Sequence, residues 1–219
     1  MSIKENLIEI KKSLPEHVTL VAVSNTKPNE ALLEAVETGH RVFGENKVQE
    51  MVQKWETLPK DIEWHMIGHL QRNKVKYIAE FVSLIHGVDS FRLLKEINKQ
   101  AQKHNRTVDC LLQMHIAQEE TKFGLSAEEL NAMVGSEEFE QLQNIQICGL
   151  MGMATFTENK EQVRQEFAFL KQNFESLQKK LPNIKILSMG MSGDFDIAIK
   201  EGSTMVRIGS SIFGSRQYS

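Results

Sequence analysis

Short apolar runs alternate with amphipathic helical patterns along the chain. Each run has the length of a buried strand, and most are followed by a polar turn and then by apolar residues spaced three and four positions apart. The predicted strands are Val18–Val23, Arg41–Gly44, Ile62–Gly68, Phe81–Val88, Val108–Ile116, Ile145–Met151, Ile184–Leu187 and Thr204–Gly209. Because strands that alternate with helices pair in parallel, the pattern predicts an α/β protein with a single (β/α)8 TIM barrel. An open doubly wound sheet is the alternative if one strand is miscounted.

Capping residues indicate where several helices begin. Ser2 with Glu5, and Ser126 with Glu129, form capping boxes, and Ser90 can cap the helix after the fourth strand. The first box begins an extra N-terminal helix ahead of the first strand. Other predicted helices are Pro28–Gly39, Glu45–Leu58, Leu70–Ala79, Val163–Leu181 and Asp194–Lys200.

Composition favours an ordinary globular protein. The chain has 219 residues, of which 41% are apolar and 25% charged, and no linker-like stretch divides it. We therefore expect residues 1–219 to form one domain. A net charge of −3 gives no general attraction to nucleic acid or to an anionic membrane. The N-terminal helix lacks the continuous apolar segment of a signal peptide or a membrane span.

The positions of the cysteines favour a reducing compartment, and the positions of the histidines do not favour a metal site. Cys110 and Cys148 each lie inside an apolar run, as small buried residues of a reducing compartment do. His65 and His69 have the spacing of zinc-protease histidines but lack the glutamate between them, so we expect no metal there. The expected location is the cytoplasm and the expected state is a monomer.

Lys27 occupies the turn after the first predicted strand, directly before Pro28 and the next helix. In a barrel this is the carboxyl end of a strand, the face on which the sites of such barrels lie. A lone lysine at this place is either a solvated loop residue or an amine held at the mouth of the barrel.

Two segments rich in glycine and serine follow the seventh and eighth predicted strands. The first begins at Ser188 and contains Met191 and Ser192, and the second contains Gly209 and Ser210. Loops at these places in a barrel frequently hold phosphate, and small residues let backbone N–H groups approach an anion. Each segment alone could be a structural turn, but the pair favours a phosphate site.

Arg207 lies near the end of the apolar eighth strand, where a buried guanidinium needs an acceptor. It either pairs with a carboxylate or donates to a ligand. A lysine that forms a Schiff base, a separate phosphate site and an arginine on a ring nitrogen together fit pyridoxal 5′-phosphate (PLP). Because arginine does not give up a proton near neutral pH, the ring nitrogen would stay unprotonated and the cofactor would be a weaker electron sink.

Several segments, spread in order along the chain, are distinctive in combination. They are Ala22–Pro28, Phe43–Glu50, Trp64–Gly68 with Leu70–Gln71 and Asn73–Lys74, Gly149–Met151, Leu187–Ser192 and Val206–Gly209. Together they resemble the pyridoxal phosphate homeostasis protein family, also called proline synthase co-transcribed homologues. The resemblance implies a barrel similar to the N-terminal barrel of alanine racemase.

The same resemblance implies roles for individual residues. Lys27 would carry PLP as a covalent aldimine and Arg207 would contact the pyridine nitrogen, while Asn46 and His65 would line the pocket. The segments Ser188–Ser192 and Gly209–Ser210 would hold the phosphate. The implied function is PLP binding in vitamin B6 and amino-acid homeostasis without an established catalytic activity, with apo-enzymes that use PLP as possible transient partners.

The chain departs from the family pattern at two positions. Asn25 stands where a lysine is frequent and Lys47 where a tyrosine is frequent, and loss of a second basic residue at Asn25 bears on cofactor exchange. Alanine racemase uses a second domain and a tyrosine on the opposite face of the cofactor. This chain ends soon after the eighth strand, and its tyrosines, Tyr77 and Tyr218, are not at strand ends. A PLP-dependent amino-acid racemase-like enzyme is therefore the alternative, and a Schiff-base aldolase of phosphorylated sugars is a weaker one.

Overall fold

A computed structural model describes residues 2–119 and 122–214, so Tyr218 lies outside the described residues. Within them, parallel strands form a closed barrel in sequence order, with β1 paired to β8. The strands are β1 Thr19–Val23, β2 Val42–Glu45, β3 Glu63–Met66, β4 Leu84–Val88, β5 Val108–Gln113, β6 Ile145–Met151, β7 Ile186–Met191 and β8 Met205–Ile208. The TIM-barrel prediction is confirmed, and the open-sheet alternative is wrong.

Helices connect the strands on the outside of the barrel. They are α1 Ile3–Ser13, α2 Asn29–Glu37, α3 Val48–Thr57, a 3-10 helix Arg72–Tyr77, α4 Phe91–Lys103, α5 Ala127–Val134, α6 Glu137–Glu140, α7 Lys160–Gln178, α8 Phe195–Lys200 and α9 Ser210–Phe213. Both capping boxes and the Ser90 cap are present. The extra helix α1 packs beside α2 and α9, where Asn6 Nδ2 donates to the Ile212 carbonyl at 3.0 Å.

Two predictions of element type or extent differ most from the structure. The predicted helix Leu70–Ala79 is a shorter 3-10 helix, Arg72–Tyr77, whose N-cap, Gln71, makes no side-chain cap and within which Val75 is the one buried residue. The seventh strand was expected to end at Leu187 but continues to Met191. Serine and glycine made that stretch look like a loop, yet Ser188 pairs with Met205 inside the sheet, and an irregularity follows before Met191 pairs with Arg207.

Hydrophobic side chains fill two regions. The larger lies between the strands and the helices and includes Phe43, Trp64 and Phe167, all fully buried. The smaller cluster fills the interior of the barrel, with Val21, Ile67, Leu84, Leu111, Met151 and Met205. Because side chains alternate along a strand, residues two positions from these also point inward.

Candidate functional site

A cavity of about 1000 Å³ opens at the carboxyl ends of the strands. We call it the main cavity. Among its lining residues are Lys27, Asn46, Met191, Ser192, Arg207, Gly209 and Ser210, all of which the sequence proposed for the site. His65 and Ser188 do not line it. Both are buried deeper in the barrel, where they contact other side chains.

Lys27 reaches the main cavity from the turn between β1 and α2. Pro28 is the N-cap of α2, so the helix begins immediately after the lysine. Lys27 Nζ donates to the carbonyls of Phe213 at 3.0 Å and Gly214 at 3.1 Å. The amine therefore lies beside the end of α9, although β1 and α9 are at opposite ends of the described chain.

The segments that follow β7 and β8 contact each other at the edge of the main cavity. Ser192 Oγ accepts the Gly209 N–H at 3.4 Å, and Asp194 Oδ1 accepts the Met191 N–H at 2.6 Å. Helices α8 and α9 begin at these segments, and the first N–H groups of a helix have no partner within it. Burial raises the pKa of Asp194, against the opposing effects of the Met191 N–H and of Arg207.

Arg207 forms part of the cavity floor and is almost fully buried. Its Nη1 donates to Ser188 Oγ at 2.5 Å, and its Nη2 donates to the Gly152 carbonyl at 3.1 Å. These contacts use two of the five N–H donors of a guanidinium, and burial lowers the pKa of Arg207 to about 10, so the group is charged at neutral pH. Among the described residues it has no carboxylate at ion-pair distance, which disfavours the ion-pair interpretation.

A line of hydrogen bonds leads from Arg207 into the barrel. His86 Nδ1 lies 3.0 Å from Ser188 Oγ, and His86 Nε2 lies 3.1 Å from His65 Nδ1. The placement of Ser188 corrects the sequence interpretation, since its hydroxyl supports Arg207 from within a strand instead of belonging to a loop. Sequence reasoning missed His86 entirely, although its position two residues after Leu84 on β4 was a usable signal.

The donors and acceptors available to each side chain indicate which group donates in each of these hydrogen bonds. Arginine can only donate, so Ser188 Oγ accepts from Arg207 and its own proton is best placed on His86 Nδ1. His86 Nε2 then donates to His65 Nδ1. Both rings are neutral in this arrangement, and burial lowers the pKa of His65 to about 3 and that of His86 well below its usual value. The floor of the main cavity is thus a guanidinium backed by neutral groups.

Comparison with known proteins identifies the family. The family model for the N-terminal domain of alanine racemase matches residues 1–217. A pyridoxal phosphate homeostasis protein of Aquifex aeolicus is 44% identical over 202 residues, which cover 91% of this chain and 87% of that protein. This chain belongs to the pyridoxal phosphate homeostasis protein family. A second member, from Escherichia coli K12, is 40% identical over 212 residues, covering 94% of this chain and 88% of that protein.

Solved structures agree with membership of the homeostasis protein family. PipY of Synechococcus elongatus is 35% identical, and the match covers 97% of this chain and 100% of PipY. The TM-score is 0.92 for PipY without PLP and 0.89 for PipY with PLP bound. Alanine racemase of Clostridium difficile matches with a TM-score of 0.78 at 14% identity, over 100% of this chain and 58% of that one, which shows a shared fold.

One departure from the homeostasis family pattern, Asn25, lies within the turn that carries Lys27, and the other, Lys47, lies at the start of α3. Asn25 is nearly buried and lines the main cavity. Lys47 lines a second opening of about 660 Å³, which we call the side cavity and which Thr26, Lys27 and Glu50 also line. Neither Asn25 nor Lys47 is among the residues to which the family resemblance assigns a role in the site.

The rim of the main cavity includes a loop between β6 and α7 that sequence reasoning did not assign. The buried carboxylate of Glu166 accepts the Thr155 N–H at 2.6 Å and its hydroxyl at 2.7 Å. Glu119 accepts the N–H of Phe156, whose ring is 98% exposed. This loop is therefore fixed at its backbone while it presents an aromatic side chain outward.

The described residues contain no cluster of three histidine, cysteine, aspartate or glutamate side chains arranged for a metal ion. No helix in the described part of the chain is long and apolar enough to cross a membrane.

Proposed function

We propose that this protein binds PLP in the main cavity, holds it covalently on Lys27, and acts in PLP and amino-acid homeostasis by retaining and releasing it. The observation that carries the proposal is that Lys27, Arg207 and the segments after β7 and β8 line one cavity. Its volume of about 1000 Å³ is ample for one small ligand.

Lys27 is the proposed attachment point. Its Nζ would hold PLP through a C=N bond to the aldehyde carbon of the ligand, formed with loss of one water molecule. The carbonyls of Phe213 and Gly214, which accept from Nζ, keep the amine at the cavity edge. Reversal of the same reaction with water returns free PLP.

The phosphate site is proposed at the segments after β7 and β8. Backbone N–H groups at the starts of α8 and α9, together with the hydroxyls of Ser192 and Ser210, are suitable donors to a phosphate. Met191 and Gly209 complete the walls of this part of the main cavity. An anchor here holds the ligand independently of its bond to Lys27.

Arg207 is the proposed partner of the pyridine nitrogen. Its remaining N–H donors are available to an acceptor in the main cavity, and Ser188 and the Gly152 carbonyl fix the guanidinium plane. A donor that keeps its own proton leaves the ring nitrogen unprotonated. Such a ring withdraws electrons weakly, which favours storage of the ligand over carbanion chemistry.

Proton chemistry on both faces of the ligand would need a second acid or base. Tyr77, the tyrosine within the described residues, is half exposed on the 3-10 helix and does not line the main cavity. The curated relatives carry the name of a homeostasis protein and not that of an enzyme. A non-catalytic role is therefore the proposed one, with Asn46 as part of the wall and His65 as a buried support.

The proposal places this activity in the cytoplasm, in a monomer that passes PLP transiently to apo-enzymes. Mass determination in solution by light scattering tests the monomer. Transfer is tested by mixing the PLP-loaded protein with an apo-enzyme. The apo-enzyme should regain activity faster than when it is given the same amount of PLP bound to a trapping agent.

The attachment is tested by loading the protein with PLP, reducing with borohydride and mapping the modified peptide by mass spectrometry. We expect the adduct on Lys27 and a visible absorption band that Lys27→Ala abolishes. Lys47→Ala is the matched control, since this nearby lysine lines the side cavity and not the main one. An unchanged band and affinity in Lys27→Ala would show that the assignment is wrong.

A further inference from the structure

The turn that carries Lys27 has a backbone conformation that its sequence disfavours. Thr26 has a φ of +67°, in the left-handed region that a β-branched residue rarely adopts. The Lys27 N–H donates to the Ser24 carbonyl at 3.0 Å, which closes a four-residue turn with Thr26 at its third position. Glycine or asparagine normally occupies this position when its φ is positive. The backbone is thus strained at the residue directly before the lysine.

Helix α3 supplies the contacts that hold this turn. Glu50 Oε1 accepts the Thr26 N–H at 2.5 Å. Lys54 Nζ donates to Glu50 Oε1 at 2.7 Å and to the Ser24 carbonyl at 2.8 Å. Glu50 and Lys54 are four residues apart on one face of α3, so a single helix fixes two backbone groups of the turn.

A buried carboxyl at the end of β2 completes the support. Glu45 is fully buried, and its Oε1 accepts from Lys54 Nζ at 2.8 Å and from Ser24 Oγ at 2.6 Å. A buried ammonium is stable when carboxylates surround it, so Glu45 and Glu50 together fix the position of the Lys54 side chain. These contacts lie directly beneath the turn, where Ser24 is also fully buried.

We propose that Glu50 is a positioning residue for Lys27, which acts by holding Thr26 in its left-handed conformation. The inference rests on the proposed function, in which Lys27 Nζ bonds PLP. Release of Thr26 to a negative φ would redirect the chain just before the lysine. Lys27 borders the side cavity as well as the main one, so its side chain has room to leave the binding position.

The test is a double-mutant cycle read out by PLP affinity. Glu50→Ala removes the acceptor for the Thr26 N–H, and we expect PLP to bind about tenfold more weakly because the amine is misplaced. Adding Thr26→Gly should bring the affinity back to within about threefold of wild type, since glycine adopts positive φ without strain. Adding Thr26→Val instead should give no recovery, because valine is β-branched and keeps the strain while lacking the hydroxyl.

A conservative variant and a second measurement distinguish failure of the proposed PLP binding from failure of the positioning role of Glu50. Glu50→Gln keeps an oxygen acceptor for the Thr26 N–H and should weaken PLP binding less than Glu50→Ala. Thermal unfolding of the PLP-free variants should show Thr26→Gly, but not Thr26→Val, stabilising Glu50→Ala. If wild type does not bind PLP, the proposed function fails while the unfolding pattern still tests the turn. If wild type binds PLP and Thr26→Gly restores neither affinity nor stability, the positioning role of Glu50 is overturned.

Discussion

At the scale of single residues, the interior of the barrel is organised by a group that can only donate hydrogen bonds. The Arg207 guanidinium donates to Ser188 Oγ, and the hydroxyl proton of Ser188 is then best placed on His86 Nδ1. His86 and His65 therefore stay neutral even though two imidazoles lie 3.1 Å apart. Their contribution to the site is to hold Ser188, and through it Arg207, in one orientation.

This order predicts the tautomer of a histidine. In ¹⁵N NMR spectra at neutral pH, His86 should carry its proton on Nε2 and have an unprotonated Nδ1 that accepts from Ser188. Ser188→Ala removes the donor, so the two nitrogens should lose this preference and PLP should bind several-fold more weakly as Arg207 gains freedom.

Ser203→Ala is the matched control for this prediction. Its hydroxyl is also fully buried and donates to the Met189 carbonyl at 2.7 Å, away from the histidines. Both variants should lower the unfolding temperature, but Ser203→Ala should leave the His86 signals unchanged. A His86 proton on Nδ1 in the wild-type protein would contradict the proposed order.

At the scale of elements, close packing of backbones determines how β2 and β3 shape the cavity wall. A Cβ on Gly68 would lie 2.4 Å from the Asn46 carbonyl oxygen, and one on Gly87 would lie 2.8 Å from the Gly68 carbonyl oxygen. The segments after β2 and β3, and β4 itself, thus approach more closely than side chains permit. Asn46 is held in the wall of the main cavity by this contact.

Gly68→Ala should therefore damage both folding and binding. The new methyl group must push the Asn46 backbone outward, and we expect a loss of about 1–3 kcal/mol in the free energy of unfolding, as for other overpacked sites. PLP affinity should fall with it, measured by titration of the folded variant. Gly135→Ala at the end of α5 is the control, because its Cβ would lie 3.2 Å from the Asn131 oxygen and far fewer atoms must move. Equal losses in the two variants would contradict the packing argument.

The helices and strands also show which features of the fold can be predicted from the sequence. Alternating strand and helix periods predicted the barrel, and the capping serines marked the helix starts, because both signals are local. The end of β7 was misjudged since serine and glycine are typical of loops, while here Ser188 points into the barrel and bonds across it. His86 and Ser188 are 102 positions apart, and Thr26 and Glu50 are 24 apart, so these contacts form only once different strands and helices have packed together.

At the scale of the whole molecule, barrel closure brings the first and last strands together and so completes the site. β1 pairs with β8, which places the turn after β1 beside the segments after β8. Lys27 then meets the end of α9, and Arg207 enters the same cavity from β8. Closure also buries ionisable groups inside and against the barrel, and this makes stability depend on pH.

Two opposite effects determine that dependence. Burial lowers the pKa of His40, which lies between α2 and β2, to about 4, that of His65 to about 3, and that of His86 well below its usual value. Below about pH 6.5 these imidazoles become protonated in the unfolded chain but stay neutral in the folded protein, so acid destabilises the fold. Burial raises the pKa of Glu45 to about 7 against the opposing effect of Lys54, so this carboxyl stabilises the fold at acid pH and loses that contribution as the pH rises toward 7.

The histidines should dominate, and the PLP-free protein should be less stable at pH 5.5 than at pH 7.5. Between pH 7.5 and 5.5 the three imidazoles together lower the free energy of unfolding by about 4 kcal/mol, and Glu45 raises it by about 2 kcal/mol. The net loss is roughly 2 kcal/mol, which corresponds to a fall of about 4–8 °C in the unfolding temperature. His40→Gln removes one titrating ring while keeping a donor for the Val42 carbonyl, 2.8 Å away, and should make the loss about 1 kcal/mol smaller. Differential scanning calorimetry of both proteins at the two pH values measures this. An unfolding temperature that rises on acidification would contradict the neutral state of the buried histidines.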